Sequence, residues 1–304
     1  MRERQPPRPG AAASGRRRVQ RAPGAARRDR TPPGEAGVAK PRPARPERWL
    51  YGRHAVAAAL VNPRRRWHRL AVLAAHEAAA VALAAPGLAR RRGEGEAIAV
   101  LDRAGLAALL PEGAVHQGWA LEVEPLAERE LDDVLGGAEP ATGRSIVVLL
   151  DRVTDPHNLG AVLRSAAAFG ALAVIVAAHG APPASGALAK VASGALEWVP
   201  LLRVINLARA LDRLKEAGFW CCGLDESAAQ SLAALDLGPR VAVVLGAEGG
   251  GLRRLVRERC DHVARLPTQP LLPTLNVSNA AAIALYELVR AEPRALAPGG
   301  AHSG

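Results

Sequence analysis

Residues 146–170 read IVVLLDRVTDPHNLGAVLRSAAAFG, and the fold class turns on them. The apolar run from Ile146 to Leu150 has no polar interruption, which suits a strand buried on both faces rather than a half-exposed one. A turn through Thr154, Asp155 and Pro156 follows. Beyond it Leu159, Val162, Leu163, Ala166 and Phe169 recur at helical spacing. Gly170 suits the residue that ends such a helix. Asn158 stands where an N-cap belongs, and Arg164 lies off the apolar stripe. Taken locally, the stretch is a strand, a turn and a capped helix with a solvated arginine.

The alternation continues downstream. Strands are expected at 146–153, 172–177, 199–204, 220–225 (WCCGLD), 241–248 (VAVVLGAE) and 262–267 (HVARLP). Helices are expected at 159–169, 187–195, 205–218 and 277–290 (VSNAAAIALYELVR). Apolar strands separated by helices imply an α/β domain whose parallel sheet is covered on both faces, with ligands bound beyond the carboxyl ends of the strands. Upstream, WLYGRHAVAAALVN, RLAVLAA, HEAAAVALAA, AIAVL, DRAGLAALLPEG and VHQGWALEVEPL form a second, smaller α/β pattern. The expected organisation is a basic disordered tail over 1–46, a small domain over 47–126, a linker over 127–144, a larger domain over 145–293 and a flexible end over 294–304.

Composition supports that division. The chain has 304 residues, enough for two domains, and 49% of them are hydrophobic. The net charge of +11 is mostly local: residues 1–46 carry twelve Arg and Lys40 against Glu3, Asp29 and Glu35, leaving +1 for everything else. A Pro-, Gly- and Arg-rich stretch without apolar periodicity cannot bury enough surface to offset its ordering, and it suits attachment to polyanions such as RNA. It lacks the amphipathic pattern of a transit peptide and the apolar core of a secretory signal, so a cytoplasmic protein with no membrane span is expected. Cys221, Cys222 and Cys260 offer neither a disulfide framework nor a zinc spacing, and the eight His are scattered, so no metal is expected.

Two later loops share the chemical character of the first. GAEGGGL (246–252) follows VAVVL; its glycines let the backbone approach a ligand closely and present N–H groups. It sits after a late strand and holds Glu248, which disfavours a dinucleotide fingerprint. Taken alone, Glu248 also suits an ordinary surface turn. LPTQPLLPTLNVSNAAAIALYEL (266–288) is a proline-fixed loop entering a helix apolar on several sides, as a subunit interface requires. Asn276 and Ser278 are placed to cap that helix.

Taken together and in order, DPHNLGAVLRSA, VVLGAEGGGL and LPTLNVSNAAAIALYEL resemble the three motifs of the SpoU/TrmH family of SPOUT RNA 2′-O-ribose methyltransferases, over residues 145–291. WLYGRHAVAAAL and HQGWALEV are similar to that family's N-terminal substrate-binding domain of ribosomal-protein L30e-like fold, and point to the branch acting on guanosine in 23S rRNA. The resemblance implies a C-terminal trefoil knot, S-adenosylmethionine as cofactor, and a homodimer with active sites at its interface. It implies catalytic roles for Asn158, Arg164, Glu248 and Asn276. Cofactor contacts are implied at Leu245, Gly246, Ala247, Leu266, Thr274 and Leu275. The substrate is expected to be rRNA, free or in a ribosomal assembly intermediate. A tRNA-directed relative is disfavoured by the small domain, and a non-catalytic RNA-binding protein by retention of all four polar residues. Two departures fall beside the cofactor: Thr274 replaces the usual Ser, and Thr268-Gln269-Pro270 replaces a Met-x-Gly turn.

Overall fold

The computed structural model describes residues 48–92, 95–136, 143–182, 185–269, 271 and 274–290. The expected tails over 1–46 and 294–304 lie outside the described residues, as does Pro270. The described residues all belong to one compact unit.

The small domain runs β1 (Trp49–Tyr51), α1 (Arg53–Val61), β2 (Trp67–Leu73), α2 (Glu77–Ala84), β3 (Ile98–Leu101), α3 (Arg103–Ala107) and β4 (Trp119–Val123). Its sheet has the order β1-β4-β2-β3, with β4 antiparallel to both neighbours and β3 parallel to β2. Trp67, Trp119, Leu70 and Leu121 are buried with α1 residues Val56 and Leu60. The large aromatics let a small sheet bury enough apolar area to hold together. Residues 127–144, expected as a linker, include the short helix α4 (Leu131–Leu135), whose Val134 packs into the core of the larger domain.

The larger domain runs β5 (Ser145–Asp151), α5 (Pro156–Ala168), β6 (Ala173–Ala177), α6 (Gly186–Val191), β7 (Leu201–Val204), α7 (Leu207–Glu216), β8 (Trp220–Leu224), β9 (Gln230–Ser231), β10 (Arg240–Gly246), α8 (Arg254–Glu258), β11 (His262–Arg265) and α9 (Val277–Arg290). Its seven strands, in the order β7-β6-β5-β10-β8-β11-β9, are parallel throughout. Burial on both faces follows from the unbroken apolar strands. Ile146, Val148 and Leu150 point into one core with α5, α6 and α9, while Val147 and Leu149 point into the other with α4 and α7. On α5 alone, Leu159, Val162 and Leu163 are fully buried, each contributing about 1.5–3 kcal/mol relative to exposure.

Three details depart from the sequence reading. Strand β9, with two residues, and helix α8, with five and only Val256 buried, were not expected; both are too short to show a period. Helix α5 begins at Pro156, not near Leu159, and its cap is Asp155, which accepts from His157 N at 2.8 Å. Proline at the first helical position has no N–H to satisfy, so the helix starts as early as that residue allows. Asn158 therefore does not cap it; its side chain, one turn inside, is free to face a neighbouring loop.

Candidate active site

The loops after β5 and β10 and before α9 meet beyond the carboxyl edge of the larger sheet. Asn158 Nδ2 donates to Glu248 Oε1 at 3.1 Å, and Asn276 Nδ2 donates to the same oxygen at 2.6 Å and to Asn158 Oδ1 at 2.9 Å. Val277 N adds a third donor to Oε1 at 3.4 Å. Asn276 Oδ1 in turn accepts from Ser278 N at 2.9 Å and Ser278 Oγ at 2.6 Å, so Asn276 both caps α9 and closes the trio. Glu248 thus sits at the amino end of a 14-residue helix, where the partial positive charge favours a carboxylate. Oε2 has no hydrogen-bond partner among the described residues, which leaves one oxygen for a ligand.

The glycine-rich loop is pinned where it leaves and where it returns. Gly246 lies opposite Asp151 in the β5–β10 register. A Cβ on Gly246 would stand 2.1 Å from the carbonyl carbon of Gly251, so only glycine fits. Gly251 N donates to Ala247 O at 2.9 Å, closing the loop on itself.

Sequence reasoning missed what holds this loop from below. Asp151 is fully buried, and its two oxygens accept from Arg253 N at 2.8 Å and Arg253 Nε at 2.7 Å. Arg152 occupies the left-handed region at φ 62° and donates through Nη2 to Gly250 O and Gly251 O at 3.3 and 3.4 Å. A backbone that crowded is uncommon outside glycine and is tolerated where surrounding contacts fix it. The available signal was a charged residue at the end of a strand buried on both faces, which demands a partner.

A cavity of about 390 Å³ adjoins the trio at the carboxyl ends of β8, β10 and β11. Its lining includes Leu245, Gly246, Ala247, Leu266, Thr274 and Leu275. Glu248, Asn276 and Thr268 border it as well, so both sequence departures on described residues face this space. The volume lies within the usual range for small-molecule sites, and leucines beside exposed main chain suit a flat heteroaromatic ring with hydrogen-bonding edges. Asp225 also borders it. Burial raises the Asp225 carboxyl, but hydrogen bonds from Ser227 and the neighbouring Arg257 guanidinium outweigh that and hold it below its ordinary value. Among the described residues no three His, Cys, Asp or Glu side chains cluster as metal ligands, and no described helix is long and apolar enough to cross a membrane.

Arg164 is not brought to this group. It is exposed on α5, six residues beyond Asn158, which turns it about 120° around the helix and roughly 9 Å along it. At the end of α5, Phe169 meets Tyr286 of α9 edge-on at 6.3 Å, and α9 exposes Ile283 and Tyr286.

Comparison with known proteins bears on the larger domain first. Residues 145–286 match the model of the SpoU rRNA methylase family. The chain is 45% identical over 182 residues to a 23S rRNA (guanosine-2′-O-)-methyltransferase RlmB of Vibrio cholerae, covering 59% of this chain and 72% of that protein. It is 41% identical over 181 residues to an uncharacterized tRNA/rRNA methyltransferase of Synechocystis, but spans only 47% of that relative's length. Among solved structures, the SpoU methyltransferase AviRb of Streptomyces viridochromogenes, in complex with the cofactor AdoMet, is similar with a TM-score of 0.64 and 26% identity. That match covers 80% of this chain and 89% of the other.

Proposed function

Since the chain belongs to the SpoU rRNA methylase family, we propose that it transfers a methyl group from S-adenosylmethionine to the 2′-hydroxyl of a guanosine ribose in 23S rRNA. The observation that carries this reading is the trio Asn158–Glu248–Asn276 closed around one carboxylate beside a cavity of small-molecule size. The full name of the V. cholerae relative supports the base and the RNA.

The main chain of Gly246, Leu266 and Leu275, with Leu245, Ala247 and Thr274, would hold the cofactor, whose sulfonium supplies an electrophilic methyl group when bound. A ribose hydroxyl is a poor nucleophile, so the protein must align it and stabilise the negative charge that grows on its oxygen. Alignment alone is worth about 7–11 kcal/mol in favourable cases. Glu248, its position fixed by two asparagines and a helix terminus, orients the ribose through its free oxygen. Arg164 stabilises the developing charge; a guanidinium with a pKa above about 12 is a poor base, so the proton leaves to an RNA phosphate or to water.

Within one chain Arg164 stands apart from the trio. A homodimer would resolve this: Phe169, Ile283 and Tyr286 offer apolar surface where α5 ends against α9, and pairing across it would bring the partner subunit's Arg164 to the trio. The reading extends to a trefoil knot, supported by the packing of α9 against α5 and β10 although β11 lies two strands from β10. It also extends to an L30e-like small domain that binds substrate RNA, and to work in the cytoplasm on free rRNA or an assembly intermediate.

The test is transfer of labelled methyl from S-adenosylmethionine to a 23S rRNA transcript. Arg164→Ala should lose about 10²–10³ in rate with cofactor affinity unchanged. Near-full activity in Arg164→Lys would overturn the guanidinium role.

A further inference from the structure

The near-neutral balance of the chain after residue 46 conceals an uneven distribution. Two arginine triplets, Arg64–Arg66 and Arg90–Arg92, lie far apart in the small domain's sequence, yet the fold sets them together at the amino end of β2. Arg64–Arg66 lead directly into Trp67, the first residue of that strand. Arg91 forms a parallel bridge with Trp67, and Arg92 N donates to Trp67 O at 2.8 Å. Arg90 reaches the carbonyls of Leu60 and Pro86, tying the second triplet to the end of α1.

These contacts fix the backbone and leave charge exposed. Arg65 is the member committed to a buried carboxylate: its guanidinium pairs with Glu197 of the larger domain at 2.5 Å. Arg64 donates to the main-chain oxygen of Glu197 at 3.4 Å, a neutral acceptor. Arg64, Arg66 and Arg92 are exposed, and no described carboxylate pairs with any of them.

The charge continues into the larger domain. Arg64 borders a cleft of about 1050 Å³ between the two sheets, which is also lined by Arg203 at the end of β7 and Arg209 in the first turn of α7. Arg203 bonds only to the carbonyls of Ala181 and Pro182 among its described partners, and Arg209 is exposed with no described carboxylate partner. Glu128 and Glu130 face the same cleft from the connecting segment, alongside Arg129. The end of β7 belongs to the same carboxyl edge that carries Asn158 and Glu248, two strands from β5.

We infer that Arg64, Arg66 and Arg92, continued by Arg203 and Arg209, form a track for backbone phosphates of the substrate RNA. This rests on the RNA methyl-transfer reading and adds where the RNA lies. Cationic side chains without carboxylate partners, held at intervals, suit the repeated negative charge of a phosphate backbone. The track reads no bases; it sets position and affinity.

The full-length chain is compared with Arg64→Ala/Arg66→Ala/Arg92→Ala and with the matching triple lysine variant, binding a 23S rRNA transcript over a range of salt. Each lost phosphate contact lowers the slope of log affinity against log salt by about 0.7–0.9. The alanine triple should therefore flatten the slope by roughly 2–3 and raise KM for RNA with little change in kcat. The lysine triple should restore both, since a phosphate contact needs charge. Cofactor affinity by calorimetry should be equal in all three, which reports an intact larger domain. An unchanged slope in the alanine triple, or a lysine triple as defective as the alanine one, overturns the track while leaving the methyl-transfer reading in place. A wild-type chain that neither binds nor methylates the transcript sinks both.

Discussion

Asp151→Asn removes one charge from a fully buried side chain and tests what holds the glycine-rich loop. The wild-type carboxylate is fully buried and faces two N–H donors of Arg253, at 2.8 and 2.7 Å. Asparagine keeps the shape but turns one acceptor into a donor, so one of those N–H groups meets another N–H. A buried unsatisfied donor costs about 1–3 kcal/mol, and the lost hydrogen bond to a charged group adds about 1.5–3. The Arg253 side chain is 47% exposed and can rehydrate, which keeps the total below that of a fully buried pair. A loss of about 2–4 kcal/mol is expected, and at about 2–4 °C per kcal/mol for a body of this size the melting temperature should fall by roughly 4–16 °C. The assay is a double-mutant cycle with Arg253→Ala, read by thermal melting and by calorimetric titration of S-adenosylmethionine. The two substitutions should couple by more than about 0.5 kcal/mol, and cofactor affinity should fall because Glu248, Gly246 and Ala247 lie on the loop being released. Melting of Asp151→Asn within about 1 °C of wild type, with additive energies in the cycle, would refute the reasoning.

Gly246→Ala places a Cβ 2.1 Å from Gly251 and should cost about 1–3 kcal/mol and weaken cofactor binding. Gly249→Ala meets nothing within 4 Å and carries only the backbone penalty of φ 72°, so it should bind more tightly than Gly246→Ala; equal affinities would contradict the geometry. Glu197→Ala strands the buried Arg65 guanidinium and Asn62, and should cost about 3–5 kcal/mol by scanning calorimetry, with the small domain melting separately; a melting point within about 1 °C of wild type would argue against it. Burial, with a smaller contribution from Arg103, lowers the His116 pKa, and its Nδ1 accepts from Gly118 N at 3.0 Å. Its neutral form is therefore favoured in the fold. The stability this gives is complete above the unfolded value near 6.5 and is lost as pH falls through the lower folded value. His116→Asn, whose oxygen can take the same hydrogen bond, should flatten the fall in melting temperature from pH 7 to pH 5; parallel slopes would show the histidine idle.

The α/β class and the parallel sheet were legible because the strands are buried on both faces, which leaves unbroken apolar runs such as VVLL in β5 and VAVVL in β10. The strand order and the short elements β9 and α8 were not, since neither periodicity nor propensity acts over two to five residues. At the site, the resemblance to the family's motifs pointed to Asn158, Arg164, Glu248 and Asn276, and the structure brings the side chains of Asn158, Glu248 and Asn276 together but not that of Arg164. The resemblance was silent about how those three meet: the helix cap proved to be Asp155, and that freed Asn158 to face Glu248. Asp151 and Arg253 are distant in sequence and become partners only because β5 and β10 are adjacent. The arginine surface stayed hidden for a related reason. Net charge averages over the chain, and Arg66 and Arg92 are neighbours only through Trp67.

Mapping ribose methylation in 23S rRNA from cells with and without this chain bears most directly on the proposed activity. One 2′-O-methylguanosine should disappear from 23S rRNA on deletion, return with the wild-type chain, and fail to return with Arg164→Ala. An unchanged 23S rRNA pattern, or a methyl group that vanishes from tRNA instead, would contradict it.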